Sequence, residues 1–181
     1  LIGTVVVTAA LGWLGVLAFN ALVPERDNPF APLNLLDRPG LATSTKLQRL
    51  SGRVEACYVA LDQAEVAYTR IDRPNDEPAC ELVNALTLDR SLTPYSATLS
   101  MSCPLTAALH VWERHVVLPA AERLLGADVA MIETFGSHSC RRVQGGRTGR
   151  WSEHAAANAV DIAGFRLSDG RRVSVLRSYG A

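Results

Sequence analysis

The chain has 181 residues, enough for one domain with a hydrophobic core and one additional segment. Lysine and arginine together number 18, as do aspartate and glutamate, so the formal net charge is zero. This balance excludes the strong positive charge typical of nucleic-acid-binding domains, and no nucleic-acid partner is expected.

The N-terminal segment, residues 1–23, contains no charged residue. About 20 apolar residues in a helix span the hydrocarbon core of a bilayer. Pro24 and the charged run 25–27 end the segment abruptly. A secretory signal peptide is the alternative, but its apolar region is usually only about 7–15 residues and precedes a cleavage site of small residues, which 18–21 match poorly. The sequence favours a retained, single transmembrane helix.

Residues 24–45 are predicted to form a proline-rich linker. The segment contains four prolines, and its apolar residues show no periodicity. Because proline fixes φ and removes a backbone donor, we expect an extended spacer. Such a spacer would carry the following domain away from the bilayer or lie along a partner protein.

The segment 46–181 is predicted to be a domain of mixed helices and strands. A short helix is expected within 46–61, and a long apolar helix is expected after Pro104, with a kink or restart at Pro119 and an end at Gly126. Strands are expected at 66–71, 97–103, 128–135, 159–167 and 172–177, the last two joined by a hairpin turn at 168–170. This order predicts an α+β fold in which the long helix packs on a mainly antiparallel sheet.

Four dispersed cysteines lie in this domain, without a CxxC motif or zinc-finger spacing. An even number behind a membrane segment suggests two disulfides in an oxidising compartment, with the domain outside the cytoplasm. We pair Cys57 with Cys80 and Cys103 with Cys140, although three connectivities are possible. Buried free thiols are the alternative.

A histidine and an aspartate seven residues apart, His154 and Asp161, form the pattern with the most specific chemistry. They flank a turn that is expected to run into an apolar strand, so both side chains can face one cleft. Imidazole nitrogen and carboxylate oxygen are good zinc ligands, and a catalytic zinc site usually has three protein ligands. The alternative is that the two side chains hydrogen-bond each other without a metal.

The surrounding residues resemble a known signature. Ser152-x-His154-x-x-Ala157-x-Ala159-x-Asp161 is similar to the Ser-x-His-x-x-Gly-x-Ala-x-Asp pattern of the LAS-type zinc peptidases, which include the D-Ala-D-Ala carboxypeptidases and related peptidoglycan hydrolases. Over about residues 50–177 the chain resembles the extensin-like C-terminal domain family of bacteria. That resemblance is carried by Cys103-Pro-Leu, Phe135-Gly-Ser-His-Ser-Cys-Arg141, Thr148-Gly-Arg, Ser152-Glu-His154, Asn158-Ala-Val-Asp161 and Gly164-Phe-Arg-Leu.

The resemblance implies zinc ligands at His154 and Asp161. It also implies an arginine that holds a substrate carboxylate, best matched by Arg141 and next by Arg142, because a guanidinium can bind a carboxylate with two parallel hydrogen bonds. Ser152 would orient the first ligand or the substrate. The implied protein is a zinc D,D-carboxypeptidase-type metallopeptidase acting on peptidoglycan peptides, anchored in the bacterial inner membrane with its domain in the periplasm.

The sequence departs from the family pattern at two points. The signature glycine is Ala157, and the His-x-x-His strand expected to supply a third ligand and a general base does not occur before Ala181, as expected for a piece of a longer protein. His138 is the histidine that could reach the cleft, whereas His110 and His115 are expected to be packing or surface residues. The alternative function is a non-catalytic accessory subunit of a larger membrane complex, docked through its transmembrane helix and linker onto other transmembrane subunits.

Overall fold

A computed structural model describes residues 2–175. The first element is helix α1 (Ile2–Leu22). Its segment Gly3–Leu22 has a mean hydropathy of 2.0, and none of it is buried against the rest of the chain. The predicted apolar segment is therefore one continuous helix, long and apolar enough to cross a membrane.

The segment predicted as an extended spacer instead packs against the domain, and we call residues 24–42 the collar. It starts with a 3₁₀ turn (Glu25–Asp27), and its Leu35 side chain is only 1% exposed within the main core. Lys46 is buried, and its Nζ donates hydrogen bonds to the carbonyl oxygens of Glu25 and Pro32 at 2.6 and 3.1 Å. The spacer prediction is wrong because one leucine and one lysine bind the segment to the domain.

Two antiparallel three-stranded sheets and four further helices follow within the described residues. The helices are α2 (Thr43–Arg49), α3 (Val54–Gln63), α4 (Cys103–Trp112) and α5 (Leu118–Leu125). The first sheet contains, in order, β1 (Ala67–Arg73), β2 (Leu82–Arg90) and β3 (Leu99–Ser102); the second contains β4 (Val129–Gly136), β5 (Asp161–Leu167) and β6 (Arg172–Ser174). The predicted α+β class with antiparallel pairing is confirmed.

Strand β2, the centre of the first sheet, was not among the predicted strands. Asn84 within it has a φ of 54°, in the left-handed region, and this irregularity breaks the alternation of apolar and polar side chains. At the other end of the domain, β6 ends at Ser174, and residues 176 and 177 of the predicted strand lie outside the described residues.

The long helix that begins after Ser102 is interrupted before Pro119, as predicted. A π-helical turn (Glu113–Val117) separates α4 from α5, and Pro119 lies in the first turn of α5. Proline lacks a backbone donor and clashes with the preceding turn, so a change of helical hydrogen bonding there is expected. Gly126 ends α5 with a φ of 63°, as predicted for a residue that follows a helix.

The two disulfides differ from the predicted pairs. Cys57 of α3 is bonded to Cys103 at the start of α4, and Cys80 is bonded to Cys140. The pairs Cys57–Cys80 and Cys103–Cys140 are therefore wrong. The reason is that α3 packs directly against α4 in the main core, where Cys57 and Cys103 are 0% and 2% exposed.

A buried carboxyl group joins the two sheets. Glu113 is fully buried; its Oε1 accepts a hydrogen bond from the Tyr95 hydroxyl at 2.6 Å and its Oε2 accepts one from the Thr93 amide at 3.0 Å. Burial raises the pKa of Glu113, whereas these hydrogen bonds act in the opposite direction. Tyr95 also forms a parallel bridge with Ile132 of β4, so this network fixes the position of one sheet relative to the other.

Candidate metal-binding site

The loop 152–160 lies between the two sheets. The backbone N–H of Ser102, at the end of β3, donates to the carbonyl of Ala157 at 2.9 Å, and the N–H of Ser139, just after β4, donates to the carbonyl of His154 at 3.0 Å. Both sheets therefore contribute to the position of the loop that carries the histidine.

His154 is held in one tautomer by the chain around it. Its Nδ1 lies 2.6 Å from the carbonyl oxygen of Ser137, and its side chain is 13% exposed. Because a carbonyl oxygen can only accept, Nδ1 carries the proton and donates it to that bond. The lone pair of the neutral ring is then on Nε2, as in histidines that bind a metal through Nε2 while Nδ1 donates to a carbonyl.

Asp161 faces this lone pair. It is the first residue of β5 and pairs with Gly136 at the end of β4, directly before Ser137. Its Oδ1 lies 3.4 Å from Nε2 of His154, and its side chain is 56% exposed. The pairing of β4 with β5 therefore brings together the two residues that the sequence motif singles out.

The separation of these two atoms fits neighbouring ligands of a zinc ion. With zinc–ligand bonds of about 2.0–2.1 Å, adjacent corners of a tetrahedron are about 3.3–3.4 Å apart. Nε2 and a carboxylate oxygen are both acceptors, so their approach is repulsive unless a cation or a proton lies between them. The competing arrangement is an imidazolium of His154 that donates through Nε2 to Asp161.

Within residues 2–175, no group of three or more His, Cys, Asp or Glu side chains is placed to hold a metal. His138 does not join the pair, and in this part of the chain its buried Nε2 makes no hydrogen bond. His110 is a packing residue, as predicted: it is 1% exposed, its Nδ1 lies 3.3 Å from Ser91 Oγ, and burial lowers its pKa to about 4. His115 is partly buried, and its pKa is lowered by desolvation.

The two predicted carboxylate-binding arginines differ in their environment. The guanidinium of Arg142 lies 4.1 Å from the centroid of the Trp151 ring and donates to the carbonyl of Gly149. These contacts stabilise the loop 142–151. Arg141 is exposed, and no hydrogen bond or ion pair from another described residue engages its guanidinium. The guanidinium of Arg141 is thus available to a ligand, in a loop that the Cys80–Cys140 bond ties to the 3₁₀ turn (Pro78–Cys80) just before β2.

Ser152 forms hydrogen bonds with the backbone of the turn and not with the imidazole ring of His154. Its Oγ accepts a hydrogen bond from the backbone N–H of His154 at 3.3 Å, and its carbonyl accepts one from Ala155 at 3.0 Å. The serine therefore orients His154 through the backbone, within a local turn of the kind serine favours.

Ala157 occupies the glycine position of the signature with the conformation of a glycine. Its φ is 52°, and it is 0% exposed beside Leu82 and Ala85. Left-handed backbone is costly for residues with a Cβ, which explains the glycine of the pattern. The chain therefore keeps a glycine-like backbone conformation at this position although the residue is alanine.

Sequence reasoning missed two groups that hold the site. Asn158 accepts a hydrogen bond from Ser102 Oγ at 3.0 Å and donates one to Glu153 Oε2 at 2.9 Å, which links both ends of the loop to β3. Its presence in the Asn158-Ala-Val-Asp161 motif was the signal that could have found it. The carbonyl of Ser137 is a backbone group, for which no residue type is a signal.

One comparison with known proteins gives a match. The family model described as extensin-like protein C-terminus matches residues 55–181, a segment that includes all four cysteines, the arginine loop and the His154–Asp161 pair. No curated protein and no solved structure matches the chain. Because the family model covers well over half of the sequence, the chain belongs to the extensin-like C-terminal family.

Proposed function

We propose that the chain is a membrane-anchored extracytoplasmic domain that binds zinc and hydrolyses peptidoglycan stem peptides as a D,D-carboxypeptidase-type metallopeptidase. The observation that carries the proposal is the 3.4 Å approach of His154 Nε2 to Asp161 Oδ1, with Nδ1 of the same ring bound to a carbonyl. Two acceptors at this separation match two zinc ligands better than a chance surface contact.

His154 and Asp161 would hold the ion, and the carbonyl of Ser137 would keep the imidazole in the ligating tautomer. When bound, zinc lowers the pKa of a coordinated water to about 7 and polarises a carbonyl oxygen. The proposal requires a third protein ligand and a general base from outside residues 2–175.

Arg141 would bind the terminal carboxylate of the peptide. Its guanidinium is exposed beside the loop, and the stacked Arg142 with the Cys80–Cys140 bond keeps that loop in place. A planar guanidinium can donate two parallel hydrogen bonds to a carboxylate, a geometry that lysine cannot provide.

The location in the proposal is supported by two features. Helix α1 is long and apolar enough to span a bilayer, and the domain contains two disulfides. Disulfides persist in oxidising compartments such as the periplasm. Together these features support an inner-membrane anchor with the domain on the periplasmic side.

Zinc binding by the full-length protein in detergent, including the segment that would supply the third ligand, tests the metal site directly, by competition with a chromophoric chelator. We expect one zinc per chain, and His154→Ala and Asp161→Asn should each weaken binding by about tenfold or more, since even a residue that only orients a ligand contributes 10–100-fold. Asp169→Asn, which changes another exposed aspartate in the hairpin turn between β5 and β6, is the matched control. Equal affinity in all four proteins would refute the site.

Release of the terminal D-alanine from a synthetic stem peptide tests the reaction separately. We expect Arg141→Lys to raise KM with a smaller effect on kcat, because lysine keeps the charge but loses the bidentate contact. A chain that binds zinc through His154 and Asp161 but releases no alanine would retain the metal site and refute the peptidase.

A non-catalytic accessory subunit is the second candidate. It is favoured by helix α1, which is apolar and unburied along its length and can therefore pack on other transmembrane helices. Extraction from membranes in mild detergent, followed by size analysis, tests this candidate. Recovery of the chain alone in every detergent would contradict it.

A further inference from the structure

We propose that the collar is a lipid-contacting element that seats the domain on the membrane surface in one fixed orientation, with the Phe30 ring inserted into the bilayer beside α1. The proposal rests on the membrane-anchoring part of the proposed function and is independent of zinc binding and catalysis. It identifies an interaction surface, residues 24–42, and its partner, the lipid of the bilayer.

Phe30 reaches back along the transmembrane helix. Phe30 is 78% exposed, and its ring lies edge-on to the ring of Phe19, with a centroid distance of 6.4 Å. Phe19 precedes the end of α1 at Leu22 by about 4.5 Å along the axis, at 1.5 Å per residue. The Phe30 ring is therefore level with the last turn of the apolar span, and where α1 crosses a bilayer this ring contacts lipid.

Hydrogen bonds hold Phe30 at that level. Asn28 is 4% exposed; its Nδ2 donates to Asn20 Oδ1 of α1 at 2.8 Å, and its Oδ1 accepts from the backbone N–H of Phe30 at 2.9 Å. One buried amide thus connects the helix to the residue that carries the exposed ring. Because these polar groups form hydrogen bonds with one another, the free-energy cost of placing them near hydrocarbon is reduced.

Leu41 extends the same surface. Leu41 is 90% exposed, and its backbone N–H donates at 2.8 Å to Oδ1 of Asp27, in the 3₁₀ turn that follows α1. Gly40 packs so closely against Arg26 and Asp27 that a Cβ there would collide with them. The leucine is therefore fixed next to the point where the helix ends, at the level expected for the polar headgroups, where apolar side chains of peripheral segments bind.

The collar is also bonded to the domain. Leu35 is part of the main core, Lys46 Nζ binds two collar carbonyls, and Arg49 donates to the carbonyl of Pro29. Since the collar is attached both to α1 and to the domain, contact of Phe30 with lipid would fix the height and tilt of the whole domain. A second copy of the chain or another transmembrane subunit covering Phe30 are the competing occupants.

Spin labels on the full chain in phosphatidylcholine vesicles test the proposal. Single cysteines are introduced as Phe30→Cys, Leu41→Cys and Val83→Cys, because the four native cysteines are in disulfides. Val83 is the matched control: an apolar side chain on β2 that is 58% exposed. We expect the ratio of oxygen to nickel-chelate collisions to be several-fold higher at position 30 than at 83, with position 41 intermediate.

Three outcomes would overturn the proposal. A ratio at position 30 equal to that at 83 places the ring in water. Low collision with both reagents at position 30, unchanged when the vesicles are diluted with lipid, means that protein covers it. Failure of the wild-type chain to float with the vesicles refutes the anchor and the collar together, whereas flotation with a water-exposed position 30 refutes only the collar.

Discussion

Replacing Leu35 with alanine tests whether the collar is part of the domain. The side chain is 1% exposed in the main core, although it lies within a segment of four prolines and outside any helix or strand. Full burial of a leucine is worth about 1.5–3 kcal/mol, and the cavity left by Leu→Ala brings typical losses to about 2–5 kcal/mol. We expect Leu35→Ala to lower the free energy of unfolding by about 3 kcal/mol.

That loss is a large fraction of the stability of a domain, which is about 5–15 kcal/mol. Urea unfolding of the full chain in detergent, followed by tryptophan fluorescence, measures it, because Trp112 packs against both core clusters. Leu36→Ala is the matched control. This neighbouring leucine is 41% exposed, so its truncation should cost less than half as much.

Equal stability of the variants and the unmodified chain would contradict this prediction. If Leu35→Ala and Leu36→Ala unfold at the same urea concentration as the unmodified chain, the collar contributes no core packing and the segment behaves as a spacer. If only Leu35→Ala unfolds less cooperatively, so that its free energy of unfolding depends less steeply on urea concentration, the collar still folds with the domain.

Three further predictions concern the site loop, the disulfides and the buried histidine. Ala157→Gly should change the free energy of unfolding by less than about 1 kcal/mol, because relief of the left-handed backbone strain is offset by the lost methyl group and by a more flexible unfolded chain. Ala157→Val should lower the free energy of unfolding by more than about 2 kcal/mol, because the larger side chain does not fit the buried position. Thermal unfolding compares the two variants. In Cys80→Ser, mass spectrometry after alkylation should find the free thiol on Cys140, and modification of Cys57 would contradict the pairing. The pKa of His110 is lowered to about 4 by burial, so the folded state binds this proton less tightly than the unfolded chain, and stability present above pH 6.5 should be lost as the pH falls toward 4. Urea unfolding between these pH values should show a smaller loss in His110→Gln; the raised pKa of Glu113 acts in the opposite direction and is common to both proteins.

Local signals in the sequence were sufficient for most of the secondary structure. The change of register before Pro119 and the helix end at Gly126 follow from the backbone chemistry of single residues, and the structure contains both. The hairpin at 168–170 joins β5 to β6 as its turn residues indicate. In each case, the responsible interactions lie within a few residues of the signal.

Features that depend on distant contacts were not predictable in the same way. The burial of Leu35 and Lys46 requires α2 and the collar to be in place, and the irregular β2 is a strand because β1 and β3 flank it. The disulfide pairs follow from helix packing rather than from spacing along the chain. For the site, the motif indicated His154 and Asp161, but the stacking of Arg142 on Trp151 could not be inferred from residue types.

The interleaved disulfides have a consequence for biosynthesis. A chain made from its N-terminus exposes Cys57 and Cys80 to an oxidant before Cys103 and Cys140 have emerged, whereas the native bonds join the first cysteine to the third and the second to the fourth. Early oxidation would therefore trap a bond that must be exchanged, a reaction that takes seconds to hours depending on the isomerase. Efficient production of this domain should accordingly depend on a disulfide isomerase, and not only on an oxidant.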